Sequence, residues 1–152
     1  AMRVAWSRAI ILLGMSVTGL ALAGCGGGST GTGMTSPDLT ASQSGVIELT
    51  ADSFRTMVLE GRGVALVEFY MPTCSHCRAM APIVEQVAAA YSGRALVARI
   101  DVGSVPEVAQ QQDVEYVPTF VTYKNGAAQN RFVGETARGT LTGLLDASLA
   151  TP

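Results

Sequence analysis

Between Val64 and Tyr70 the chain reads Val-Ala-Leu-Val-Glu-Phe-Tyr, apolar at almost every position, and such a run predicts a strand buried on both faces. Beyond it the period changes. Met80, Ile83, Val84, Val87 and Tyr91 recur at helical intervals and predict an amphipathic helix, with Pro82 inside it removing one backbone donor and kinking it. Upstream, Val46 to Leu49 fits a short edge strand. Thr50 follows as a helix cap, Phe54, Met57 and Val58 lie at helical spacing, and Gly61-Arg62-Gly63 ends the helix. Ala95 to Asp101 alternates into a second inner strand, and Ser104-Val-Pro-Glu107 has the form of a capping box that opens a short helix towards Asp113. Thr119–Tyr123 and Ala127–Val133 flank Lys124-Asn125-Gly126, a strong hairpin signal. A last helix is expected from about Thr136 to Leu149, with Leu141, Leu144, Leu145 and Leu149 inward, although Gly139 and Gly143 weaken it. The order β-α-β-α-β-α-β-β-α predicts an α/β domain, a central mixed sheet flanked by helices on both faces.

The amino-terminal pattern is of another kind. Arg3 and Arg8 precede the apolar stretch Ala9 to Leu22, which is short for a membrane span of about 20 residues and reads as a signal peptide. Its ending, Leu22-Ala23-Gly24-Cys25, resembles the lipobox of bacterial lipoproteins, in which the cysteine thiol accepts the lipid and begins the mature chain. From Gly26 to about Gly45 the chain is Gly, Ser and Thr with almost no large apolar side chains, a composition that cannot offset its conformational entropy and predicts a flexible tether. Three segments are therefore expected: a leader over 1–24, the lipidated Cys25 with its linker over 25–45, and a folded domain over 46–152. The expected location is the cell envelope outside the cytoplasm, on the periplasmic side of the outer membrane in a Gram-negative host, since Gly26 is not the acidic residue that marks inner-membrane retention.

Composition adds little to this. The 152 residues carry a formal charge of −2 with Lys124 as the single lysine, and no basic stripe suggests a nucleic-acid surface. Loss of the leader leaves eight basic against twelve acidic residues. Three cysteines are too few for a disulfide scaffold. Once Cys25 is set apart as an anchor, Cys74 and Cys77 remain as a pair.

Cys74-Ser75-His76-Cys77 places two sulfurs one helical turn apart, directly after the buried strand and at the start of the long helix. There, unpaired backbone N–H groups and the helix dipole favour a thiolate, as reversible dithiol/disulfide chemistry requires. Three other readings compete. Zinc needs four ligands and His76 is the only histidine; haem attachment needs a histidine where Arg78 stands; a degenerate, inert pair usually lacks one cysteine. No metal and no cofactor is expected beyond the redox-active pair. Glu68 is also conspicuous, because a carboxylate in a core strand costs free energy unless it has a partner or a role.

Taken in order, Glu68-Phe-Tyr-Met-Pro-Thr-Cys-Ser-His-Cys-Arg78, Ala81-Pro82, Tyr116-Val-Pro-Thr-Phe120, Tyr123-Lys-Asn-Gly126 and Val133-Gly134 resemble the thioredoxin family over residues 46 to 150. The resemblance implies the thioredoxin fold and a thiol-disulfide oxidoreductase. In it, Cys74 is the nucleophile and Cys77 resolves the mixed disulfide. It further implies that Glu68 lies beneath Cys77 and relays its proton, that Arg99 can pair with Glu68, and that Pro118 is cis so that Val117 pairs with an extended substrate peptide beside Gly134. The chain departs from the family pattern at three positions: Thr73 stands where an aromatic precedes the first cysteine, Tyr70 where the segment begins with Trp, and Glu68 where the family has a buried Asp; Thr73 removes a flat apolar surface beside the nucleophile. His76 is expected to stabilise the thiolate and make the disulfide a stronger oxidant, as in disulfide isomerases. The expected partners are protein dithiols and disulfides, together with a membrane redox partner; the protein is expected to be monomeric. A reductase for cytochrome c maturation or oxidative repair is the enzymatic alternative. A peptide- or soft-metal-binding module is the non-enzymatic one.

Overall fold

The computed structural model describes residues 45–151. The leader, Cys25 and most of the linker lie outside them. The described chain runs β1 (Ile47–Leu49), α1 (Ala51–Ser53) continued as a π-helical segment (Phe54–Leu59), β2 (Val64–Tyr70), α2 (Ser75–Tyr91), β3 (Leu96–Asp101), α3 (Pro106–Gln111), β4 (Thr119–Lys124), β5 (Ala127–Val133) and α4 (Arg138–Ala150).

The five strands form one mixed sheet in the order β1-β3-β2-β4-β5. β1, β3 and β2 are parallel, and β4 and β5 fold back antiparallel. The apolar β2 is central, buried along nearly its whole length, as its composition predicts. Alternate residues of β2 face two separate cores. Val67 and Phe69 pack with Phe54, Val58, Val108 and Tyr123 on one face, where Phe54 meets Phe69 and Tyr123 edge to face at 5.9 and 5.8 Å. Leu66 packs with Met80, Val84, Val87, Leu141 and Leu145 on the other. The cysteine-bearing helix α2 is thus held to the sheet by its apolar stripe, and the helix continues across Pro82.

Two local expectations need correction. Ser104 does not cap α3: its Oγ donates to Asp101 Oδ2 at 2.7 Å, and Val105 occupies the cap position with no side-chain bond. The helix begins one residue later than the spacing implied, at Pro106, so the Ser104 hydroxyl falls outside the cap position and bonds the carboxylate at the end of β3. The helix after Thr50 is capped as expected, with Ser53 completing the box, but it widens to i→i+5 bonding, as in Glu60 N–H to Arg55 O at 2.9 Å. In α4, Leu141 and Leu145 are buried and Leu144 and Leu149 pack partly buried against the same core, so all four lie inward as expected. The hairpin is as expected, with Asn125 and Gly126 at φ 49° and 86°. A Cβ on Gly126 would lie 2.1 Å from Leu59 O, so close approach as well as backbone angle requires glycine there.

Candidate active site

After Tyr70 the chain leaves the carboxyl edge of the sheet through Met71-Pro72-Thr73, where Cys74 N–H bonds Met71 O at 3.0 Å. Cys74 is the N-cap of α2. Its backbone is extended (φ −76°, ψ 118°), and its Sγ accepts the Cys77 N–H at 3.2 Å. A sulfur in the place where Ser or Asp usually sits therefore receives an otherwise unpaired helix donor. Cys74 is half-buried and Cys77 is buried, both as free thiols. Burial first, then the neighbouring Cys74 sulfur, pushes the Cys77 thiol up to about 12. The two sulfurs are chemically distinct, one accessible at the helix end and one held protonated beneath it.

The segment before β4 closes the other side. The Val117–Pro118 bond is cis, and Cys74 Sγ lies 3.8 Å from Val117 O. Gly134 N–H donates to Pro118 O at 2.8 Å, at φ 95° with open space around it, so the backbone angle is what favours glycine here. Thr73 is exposed at the rim. Three large apolar side chains adjoin these loops and are open to solvent: Met71, Tyr116 and Val133 are 37%, 67% and 51% exposed. A separate cleft of about 340 Å³, lined by Glu48, Tyr70, Asp101, Ser104 and Val105 among others, does not include either cysteine. The cysteines lie outside that cleft, at a rim where Met71, Tyr116 and Val133 are open to solvent.

His76 is exposed, and its Nδ1 meets Glu135 Oε1 at 2.5 Å. Glu135 escaped the sequence reading. The signal was its place directly after Gly134, but 59 residues separate it from the histidine.

Glu68 is 2% exposed on the α2 side of the sheet, and its Oε1 has no hydrogen-bond partner. Burial raises its carboxyl to about 7, against the pull of Arg99 and with a push from Glu48. Its charge acts on Cys77 in turn. The expected Glu68–Arg99 pair is not formed. Arg99 Nε instead donates to Glu48 Oε2 at 2.6 Å, and Tyr70 OH donates to Glu48 Oε1 at 2.8 Å. Glu48 is half-exposed, so pairing there costs Arg99 less desolvation than pairing in the core. Among the described residues, no group of three or more His, Cys, Asp or Glu is arranged to hold a metal ion.

A family model described as thioredoxin matches residues 45–147. The chain is 40% identical over 96 residues to protein disulfide-isomerase 2-3 of Arabidopsis thaliana, a match over 63% of this chain and 22% of that protein. Against thioredoxin 1 of a Nostoc species it is 31% identical over 106 residues, covering 70% of this chain and 99% of that one. Against thioredoxin 1 of Synechococcus elongatus it is 34% identical over 101 residues, covering 66% and 94%. The chain thus spans about a fifth of the isomerase's length and nearly all of each of these two thioredoxins.

Proposed function

Because this chain belongs to the thioredoxin family of thiol-disulfide oxidoreductases, we propose that it exchanges disulfides with protein substrates outside the cytoplasm, from a lipid anchor on Cys25, leaning towards formation and rearrangement of disulfides. The observation that carries the chemistry is the asymmetry of the pair: Cys74 Sγ caps α2 and accepts the Cys77 N–H at 3.2 Å, while Cys77 is buried.

In the oxidising direction a substrate thiolate attacks Cys74 Sγ of the Cys74–Cys77 disulfide. The bond between the two breaks, and Cys77 leaves and takes the proton held by Glu68. A second substrate thiolate then attacks the substrate sulfur of the mixed disulfide, so that the substrate disulfide forms and Cys74 departs as a thiolate. Two electrons have passed from substrate to protein. The helix end stabilises departing Cys74, and the high proton affinity of Cys77 favours its reprotonation. Val117 and the Gly134 loop offer main-chain groups to an extended peptide, and the exposed Met71, Tyr116 and Val133 offer apolar contact.

Two observations support the oxidising lean. His76 stands between the cysteines, held at the rim by Glu135. Identity to the disulfide isomerase is also higher than to either thioredoxin. The expected reduction potential lies between about −270 mV and about −120 mV, the values of thioredoxin and of a strong periplasmic oxidant. Equilibration of the pair with glutathione buffers measures it, and a value at or below the lower limit would leave the reductase reading in its place.

The anchor is supported by Arg3, Arg8, the apolar stretch to Leu22 and Leu22-Ala-Gly-Cys25. Expressed in a bacterium, the mature protein should begin at Cys25 and carry the mass of a lipid-modified cysteine. Cys25→Ala should abolish that mass shift; an unmodified Cys25 in membrane-fraction protein would sink the proposal.

A further inference from the structure

Three charged side chains stand abreast on neighbouring parallel strands. Glu48 on β1 is in register with Arg99 on β3, and Arg99 is in register with Glu68 on β2. Register neighbours project from the same face of a sheet, so one guanidinium lies between two carboxylates. It bonds only one of them. Arg99 Nε is 2.6 Å from Glu48 Oε2, and its guanidinium carbon lies 5.0 Å from the centre of the Tyr70 ring. Tyr70 OH occupies the other Glu48 oxygen at 2.8 Å. Glu68, deeper in the same row, keeps an unpartnered Oε1.

We propose that Glu48 is a positioning residue for disulfide exchange: by holding Arg99 and Tyr70 at the sheet edge it keeps the guanidinium off Glu68, leaving that carboxyl free to give and take a proton beside Cys77. The inference rests on the relay role of Glu68 proposed above. A direct Arg99 bond would fix Glu68 as a carboxylate and make it a poor proton donor at neutral pH. The charged and titratable groups that act on Glu68 or feel its charge are Glu48 on β1, Arg99 on β3 and Cys77 on α2; Tyr70, two residues along the same face of β2, is bonded to Glu48. β4 presents Phe120 in register, and α4 contributes Leu141 and Leu145 to the same core, none of them titratable. Both electrostatic influences of Glu48 act in one direction: its charge repels a second negative charge at Glu68, and its bond restrains the cation that would favour one.

The test is Glu48→Gln in the full, reduced chain, read by carbon-13 titration of the Glu68 carboxyl, assigned by its absence in Glu68→Gln. The expected result is a fall in Glu68 proton affinity of about tenfold or more, in the range an approaching cation produces. Glu48→Gln with Arg99→Gln should restore much of it, because the released cation is then gone. Resolution of a Cys74 mixed disulfide by Cys77 should lose its inflection near neutral pH in Glu48→Gln and regain it in the double variant. A merely structural Glu48 would lower thermal stability without moving the Glu68 titration, and an unmoved titration overturns the proposal. If the titration moves but the resolution rate is indifferent to Glu68→Gln at every pH, the relay reading fails instead and takes the catalytic part of this inference with it.

Discussion

Replacing Cys74 with Ser should reduce disulfide exchange by on the order of a thousandfold or more, down to the uncatalysed background, without unfolding the domain. A serine hydroxyl neither ionises at neutral pH nor forms a bond to substrate sulfur that can be exchanged, so the first covalent step is lost in both directions. It is also among the best helix N-caps, and its Oγ can accept the Cys77 N–H now held by Cys74 Sγ at 3.2 Å. The melting curve should therefore stay near that of the parent, which separates a chemical loss from a structural one. Cys77→Ser should fail one step later. Cys74 still attacks a substrate disulfide, nothing resolves the product, and the mixed disulfide accumulates as a band of added mass on a non-reducing gel. Reduction of insulin and oxidation of a dithiol peptide measure the two directions. Turnover that survives in Cys74→Ser would falsify the assignment of the nucleophile, and a parent protein inactive in both assays would leave a binding module as the better reading.

The parts of the site legible in the sequence were those fixed by local pattern or by short motifs. The buried strand, the helix behind it and the Asn125-Gly126 turn each follow from periodicity and turn chemistry within a few residues. The cis Val117–Pro118 bond came from family resemblance, since the dipeptide itself favours trans. What escaped were choices between partners. Arg99 has a carboxylate in register on either side, and no local rule ranks the half-exposed Glu48 against the buried Glu68; desolvation decides it in three dimensions. Glu135 meets His76 only because the β5–α4 loop returns to the start of α2. Phe54, Met57 and Val58 fit the apolar stripe of an ordinary helix equally well, so the wider π turn left no trace in the pattern. Ser104 had the spacing of a cap, but α3 begins one residue later with Val105 at the cap position, and the Ser104 hydroxyl bonds Asp101 on the preceding strand.

Glu68→Gln should flatten a pH dependence of stability that the parent carries. The Glu68 carboxyl lies at about 7 in the folded protein against 4.5 ordinarily, so the folded state binds this proton more tightly than the unfolded chain does. Stability from this group is fully present below about 4.5 and is lost as pH rises through about 7. The gap corresponds to on the order of 3 kcal/mol. Other carboxylates titrate in both proteins and largely cancel in the difference. Unfolding free energies of the parent minus those of Glu68→Gln, from urea titrations of the reduced proteins, should therefore fall by about that amount between pH 4.5 and pH 8.5. The amide has a cost of its own, because Glu68 Oε1 already lacks a partner and a buried NH₂ adds donors, about 1–3 kcal/mol if unmet. That cost offsets the variant equally at every pH, so the slope and not the absolute stability carries the test. Parallel curves would mean that Glu68 is already ionised in the fold. A falling difference, accompanied by slower release of Cys74 mixed disulfides, would mean that the core keeps a destabilising carboxyl at neutral pH because the buried thiol above it needs a proton acceptor.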